Sequence, residues 1–341
     1  MTIEKRLIKK DSLEKLFDKI KASGKIILAP KSNGKNLNFE TVTSFSEIEK
    51  TDNYIQTTQS AKNVAFPRTE TILKFRKERN SVAVTDFNPD LIPETVVWGV
   101  RPCDAAGINP LNAIFTWDSV DTMFTTRLKK TTIITFSCHA SDDYCFCTSV
   151  GGNPGNSAGS DILLTQLING EFLAEILTEK GKAIADMAPE LFGSVPADAK
   201  EMNLAVVPVK FKHEEIRTKL KDFFERNVWD ELASRCIGCG ACAYVCPACA
   251  CFDIQDESHG KNGERVRCWD SCGLSAFTVH TSGHNPRSSQ HQRWRQRILH
   301  KFSYMPDRQN VFGCIGCGRC SRACPVDMNI TEQLITISEV K

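Results

Sequence analysis

Cys236-x-x-Cys239-x-x-Cys242-x-x-x-Cys246-Pro247 recurs 78 residues downstream as Cys314-x-x-Cys317-x-x-Cys320-x-x-x-Cys324-Pro325. This is the bacterial ferredoxin run that holds [4Fe–4S] clusters, and a pair of runs implies two clusters that accept and release single electrons. Three thiolates spaced by two residues wrap a tight loop around a cubane, and Gly238, Gly240, Ala241, Gly316 and Gly318 let that loop turn. In two-cluster ferredoxins the fourth cysteine of each run serves the other cluster. The expected sets are Cys236, Cys239, Cys242 with Cys324, and Cys314, Cys317, Cys320 with Cys246. The proline after each fourth cysteine stops the helix. Zinc is the plainer reading of any CxxC pair, but a zinc site takes four ligands and stops, which two such runs do not resemble. Cys242-x-x-x-Cys246-x-x-Cys249 also has radical-SAM spacing; it falls inside a run that already uses two of its members.

These loops must be carried by elements that lie upstream. Residues 1–20 read as an amphipathic helix with Leu7, Leu13, Leu16, Phe17 and Ile20 on one face. Lys25–Ala29, Ser81–Thr85, Thr95–Val100 and Thr131–Phe136 read as strands rich in Val and Ile. Asp104 is placed to cap a helix running to about Trp117. Ser160–Leu177 reads as a hairpin turning at Asn169-Gly170, residues 188–200 as a surface connection, and Lys212–Asn227 as a helix leading into the first run. The expected architecture is an α+β or α/β N-terminal domain, residues 1–228. An α-helical, dicluster ferredoxin-like C-terminal domain, residues 229–341, follows, with a long insert at 248–313.

Four cysteines sit in the N-terminal half. Cys103 follows the strand Thr95–Val100, Cys138 follows Thr131–Phe136, and Cys145 and Cys147 lie just beyond. Ligand sites in open α/β sheets form beyond the carboxyl ends of strands, so these four thiols are expected to converge on a third cluster. Buried thiols or zinc are the alternatives. The insert carries Cys249, Cys251, Cys268 and Cys272. A fourth cluster, core thiols that pack as small hydrophobes, and zinc all stay open for them. The run Arg287, Arg293, Trp294, Arg295, Arg297, His300 and Lys301 reads most simply as a solvated helix face. Alternatively, it offsets the negative charge of thiolate-bound cubanes, which would raise their potential, or it docks an acidic partner.

The 341 residues suffice for two cored domains, and a net charge of +2 excludes a global field favouring nucleic acid or anionic lipid. The charged, amphipathic N-terminus is no signal peptide and no apolar run reaches membrane-spanning length. With 16 cysteines and no secretory signal, a cytoplasmic location and redox or metal use of the thiols are expected. No dinucleotide fingerprint follows a strand, and no phosphate loop, HExxH pair or nucleophile–base arrangement stands out. The chain is therefore expected to bind neither flavin nor NAD itself, and substrate chemistry is expected on other subunits.

The ordered series WGVRPCDAAGI, SC…YCFCTSVG, CIGCGACAYVCPACACFD, RCWDSC, SGHNPR…HKFSY and CIGCGRCSRACP resembles a family of dicluster electron-transfer subunits. That family takes in those of anaerobic sulfite reductase and the beta subunit of cytosolic sulfhydrogenases. Relatives also stand beside flavin oxidoreductase–heterodisulfide reductase assemblies. The resemblance runs from about residue 60 to the C-terminus. It implies an electron-transfer component of an oxidoreductase complex in an anaerobe. Such a component links a flavoprotein of ferredoxin-reductase type, which exchanges hydride with a nicotinamide, to a catalytic subunit. That catalytic subunit would be of sulfite or sulfur reductase, hydrogenase or heterodisulfide reductase type. The family's N-terminal cysteines match at Cys103, Cys138, Cys145 and Cys147, and its CPxCxC and WxSC elements at Cys249, Cys251 and Cys272. Cys268 departs from the pattern, which has a basic residue there. Two rival readings remain: an N-terminal cluster that binds substrate directly, and a structural zinc scaffold.

Overall fold

The structure, a computed structural model, describes residues 3–195 and 200–340. Its main sheet is built from β1 (Glu4–Ile8), β2 (Ile26–Ser32), β3 (Leu37–Thr41), β6 (Thr95–Val100), β7 (Thr131–Phe136), β8 (Ile162–Gln166), β9 (Phe172–Ile176) and β10 (Phe192–Gly193). The spatial order is β10-β1-β9-β8-β7-β6-β2-β3. Strands β2, β6, β7 and β8 pair in parallel, whereas the outer pairings β2–β3, β8–β9, β9–β1 and β1–β10 are antiparallel. Every residue of β6 and β7 is buried, as a parallel strand covered on both faces demands. Val96 and Trp98 face a core with Leu13, Leu16, Phe17 and Ile20 of the helix Ser12–Ala22, while Val97 joins Val100, Ala105 and Ile133 on the opposite face.

The strands expected at 95–100 and 131–136 are found with those bounds, and the hairpin turns at Asn169-Gly170, with Gly170 at φ +82. The expected helix over residues 1–20 is corrected: Glu4–Ile8 is a strand and the helix begins at Ser12. Five residues are too few to gain from helix propagation, and main-chain pairing to β9 satisfies their backbone instead. The helix expected at 212–227 is shorter, His213–Leu220. Residues 196–199 of the expected surface connection lie outside the described residues; the part before them forms one helical turn, Pro189–Leu191, and β10.

A second sheet has the order β11-β12-β4-β5, from β4 (Thr69–Lys77), β5 (Val82–Asp86), β11 (Phe252–His259) and β12 (Asn262–Trp269). Strands from the N-terminal half thus pair with a hairpin from the insert, and the strand expected at Ser81–Thr85 is found here one residue later, as Val82–Asp86, exposed throughout. Arg267 pins this sheet to the rest. Its guanidinium donates from Nε to Glu70 at 2.8 Å, pairs with Asp121, and lies 5.2–5.3 Å from the ring centroids of Phe66, Phe115 and Phe252.

Candidate metal centres

Because β6 and β7 are neighbours running the same way, Cys103 and Cys138 leave the sheet at the same end. A bulge at Gly99, φ +80, sits between Trp98 and Val100 in that pairing and turns the end of β6, as bulges beside functional sites often do. Asp104 does not cap a long helix. It lies inside the short helix Pro102–Ala106, which Gly107 separates from Ile108–Phe115, and it is buried in a bidentate pair with Arg319 of the second cysteine run, at 2.5 and 2.6 Å. Arg319 also donates to the carbonyl and hydroxyl of Thr57. Burial pushes the Asp104 carboxyl up, while Asp104, Cys317 and Cys103 hold the buried Arg319 charged.

The N-terminal thiols are electrostatic neighbours: Cys103 of Cys138 and Cys317, Cys138 of Cys145, and Cys147 of Cys138 and Cys145. They lie directly against the second run. Phe146 N–H donates to the Gly316 carbonyl at 3.0 Å, Arg322 reaches both Asp142 and the Cys145 sulfur, and Cys103, Cys147 and Cys314 line one cavity. Gly316 has φ +68, and a Cβ there would stand 2.5 Å from Cys147 N and Phe146 O. Gly316→Ala combines left-handed strain of roughly 1–3 kcal/mol with a backbone clash. It should lower stability by more than about 2 kcal/mol and loosen the Cys145–Cys147 loop, checked by anaerobic denaturation and by faster proteolysis at that loop.

Cys236, Cys239 and Cys242 of the first run line a cavity with Cys320 and Cys324 of the second. Gln290 donates to the Cys236 sulfur at 3.0 Å, and Met328 N–H to that of Cys324 at 3.2 Å. Cys314, Cys317 and Cys320 neighbour one another. Cys246 and Cys314 share Lys301, whose Nζ lies 3.4 Å from the Cys246 sulfur and 2.6 Å from the Gly313 carbonyl. Gly107 brings both runs against the N-terminal helices: a Cβ there would meet Pro247 at 2.7 Å and Ile315 at 3.2 Å. Of the insert cysteines, Cys249 contacts Cys246 and Cys251 contacts Cys272, whereas Cys268 stands on β12 opposite Asp253 and Thr69.

The basic run is not simply a solvated face. Arg293, Arg297 and Lys301 recur at every fourth position, so they share one side of the helix Gln290–Leu299 and the π-turn His300–Tyr304 that extends it. All three are buried. Arg295 points elsewhere, over the Phe224 ring at 3.7 Å. Arg297 donates to the Cys242 carbonyl at 2.8 Å and lies 3.4 Å from the Cys249 sulfur, and its Nε is buried without a partner. Buried Lys62, from the N-terminal half, donates to the carbonyls of Ala243 and Cys249 and sits 3.9 Å from the Trp269 ring centroid. The four-residue spacing of cations was visible in the sequence; Lys62 carried no signal there.

Among the described residues, Lys62, Arg297 and Lys301 have no carboxylate partner. Burying an unpaired cation costs several kcal/mol, so the site is built for anions. Burial opposes the charge of Arg297, but the thiols of Cys242, Cys249, Cys246 and Cys272 more than offset it; Lys301 is likewise held charged by Cys246 and Cys249. Thiolate-ligated iron–sulfur clusters fit that donor set and that charge. A single zinc ion holds its sulfurs about 2.3 Å from a common centre. Among the described residues no three His, Cys, Asp or Glu converge on such a point.

Without metal, burial pushes the thiols of Cys138 and Cys242 up to about 11 and those of Cys147 and Cys320 up to about 12, from an ordinary 9.0. The folded metal-free chain therefore holds these protons more tightly than the unfolded one. That stabilisation is complete below pH 9 and is lost as pH rises through 11 to 12. Metal-free protein should lose thermal stability across this window, and reconstitution at neutral pH should release protons that an indicator dye detects.

A sheet whose adjacent parallel strands deliver cysteine loops onto a paired ferredoxin run defines an iron–sulfur protein. Residues 235–328 match the 4Fe-4S dicluster domain family. Over 331 residues, 95% of each chain, the protein is 28% identical to sulfhydrogenase 2 subunit beta of Pyrococcus furiosus, and the resemblance to sulfhydrogenase beta subunits drawn from the sequence is borne out. No solved structure matches the chain.

Proposed function

We propose that this chain is the iron–sulfur electron-transfer subunit of a cytoplasmic oxidoreductase complex of sulfhydrogenase type. It relays electrons between a flavoprotein subunit linked to NAD(P)H and a catalytic redox subunit. Two domains carry it, residues 1–228 and 229–341, the second ferredoxin-like. Cys236, Cys239, Cys242 and Cys324 hold one [4Fe–4S] cluster, Cys314, Cys317, Cys320 and Cys246 a second, and Cys103, Cys138, Cys145 and Cys147 a third. When bound, such clusters supply one-electron transfer at potentials on the order of −400 mV.

The observation that carries this reading is the contiguity of the cysteine groups around buried cations that lack carboxylates. The N-terminal loop hydrogen-bonds to the second run, and the second run shares a cavity with the first. Lys301 and Arg297 stand beside the thiols and balance their charge, while Arg322 and Arg319, paired with Asp142 and Asp104, hold the loops in place. The first-run loop reaches the surface, where Cys239 is exposed and Ile237 is 65% exposed, which gives electrons an edge for exchange with a partner.

The test is Cys103→Ser in anaerobically purified protein. It should remove about four irons per chain and slow electron transfer between partner subunits while leaving each partner's half-reaction intact. Wild-type protein with about four irons or fewer sinks the three-cluster reading, and a half-reaction lost with Cys103 points to substrate binding at that site.

A further inference from the structure

Cys249, Cys251 and Cys272 have no place in the three sets above, yet the fold assembles them. The β11–β12 hairpin pairs Phe252 with Trp269, so the residues flanking its open end meet, and Asp270 N–H donates to the Cys251 carbonyl at 2.9 Å. Cys272, two residues beyond, is thereby returned to touch Cys251. The CxC spacing keeps Cys249 beside them, and all three thiols line one cavity whose wall also holds Arg297, His300 and Lys301. The cations crowd towards this cavity: Arg297 at 3.4 Å from the Cys249 sulfur, Lys62 on the Cys249 carbonyl at 3.1 Å, and the unpartnered Arg297 Nε, with Arg297 only 3% exposed. Lys62, held by the carbonyls of Ala243 and Cys249, is buried beside them.

We propose that Cys249, Cys251 and Cys272 hold a fourth [4Fe–4S] cluster, with the imidazole of His300 as its non-thiolate ligand. Cys268 lies off the cavity wall on β12. Without it, fifteen of the 16 cysteines remain, one short of four complete sets. One cluster must then take a different donor, and His300 is the imidazole on this wall. Imidazole replaces thiolate at iron in other iron–sulfur centres and raises their potential. A three-thiolate cluster also carries less negative charge than a four-thiolate one, so its one-electron reduction beside the buried Arg297 and Lys301 is eased further.

The inference rests on the iron–sulfur reading above, and the experiment separates the two. The full chain is purified anaerobically, and iron and acid-labile sulfide are measured. Wild type should carry about sixteen irons, and Cys251→Ala and Cys272→Ala about twelve each. Cys268→Ala should match wild type. His300→Ala should keep three irons of this site and show the signal of a three-iron cluster by electron paramagnetic resonance. Where a cysteine variant does not fold, the wild-type protein decides through iron-edge anomalous scattering, with density expected between Cys249, Cys251 and Cys272. Wild-type iron in Cys251→Ala and Cys272→Ala, or no iron density there, overturns the fourth site. If Cys103→Ser still loses iron, the proposed function stands; if neither loses any, both readings fall. An unaltered spectrum in His300→Ala overturns the imidazole ligand.

Discussion

Arg297→Met should lower the midpoint potential of the cluster proposed at Cys236, Cys239, Cys242 and Cys324 by about 100 mV. The guanidinium is buried against the Cys242 carbonyl, and its charge is balanced only by cysteine sulfur among the described residues. A unit charge roughly 7 Å from the added electron, at an effective dielectric constant of about 20, is worth about 2.4 kcal/mol, and 2.3 kcal/mol corresponds to about 100 mV. The sign follows because reduction adds negative charge: removing the cation penalises the reduced state more than the oxidised one. Met keeps most of the volume, so packing changes little. Arg295→Met, two residues away but turned onto Phe224, is the control and should shift the potential by less than about 20 mV, as expected of a charge screened by solvent. Redox titration followed by electron paramagnetic resonance reads both variants. Equal midpoints in wild type and Arg297→Met would remove the charge-balancing role from this residue.

Arg319→Met should cost about 3–5 kcal/mol, the range for breaking a buried pair and leaving one charge uncompensated. Arg319 and Asp104 are among the most buried groups in the chain, with side chains 2% and 1% exposed, and they bond across 215 residues of sequence. The pair joins the Cys103 helix to the Cys320 helix, so its loss both destabilises the fold and loosens two cysteine groups. Asp104→Leu leaves the guanidinium buried and should cost a similar amount. Arg319→Met combined with Asp104→Leu removes both charges and should recover much of the loss, because replacing a whole buried pair with apolar groups is often near neutral. Anaerobic unfolding by denaturant measures all four proteins. If the double variant is as unstable as the sum of the singles, the two residues are uncoupled and the bridge between the halves lies elsewhere.

Much of the site was legible because ligand loops are local. The two ferredoxin runs are written in spacing alone, and in the structure Cys236, Cys239 and Cys242 of the first line a cavity with Cys320 and Cys324 of the second. The N-terminal thiols were legible at one remove: the apolar runs 95–100 and 131–136 announced buried strands, and cysteines just past two such strands meet when the strands are parallel neighbours, as β6 and β7 are. The helix at Ser12–Ala22 was misplaced at its start, since Leu7 fits a helical face and a strand equally well until β9 is present to pair with it.

What the sequence determined by itself is therefore the chemistry: cysteine runs whose spacing folds into loops of a few residues, set by short-range sterics. What only the tertiary structure decided is the charge balance and the joins. Asp104 looked like a helix cap and is the buried partner of Arg319; Arg293, Arg297 and Lys301 looked solvated and face the cysteines; Cys251 and Cys272 meet because a hairpin closes. A cation reads as exposed in a sequence because its counter-charge is not written beside it. Here that counter-charge is assembled from thiols far apart in the chain, and it exists only once packing brings them together.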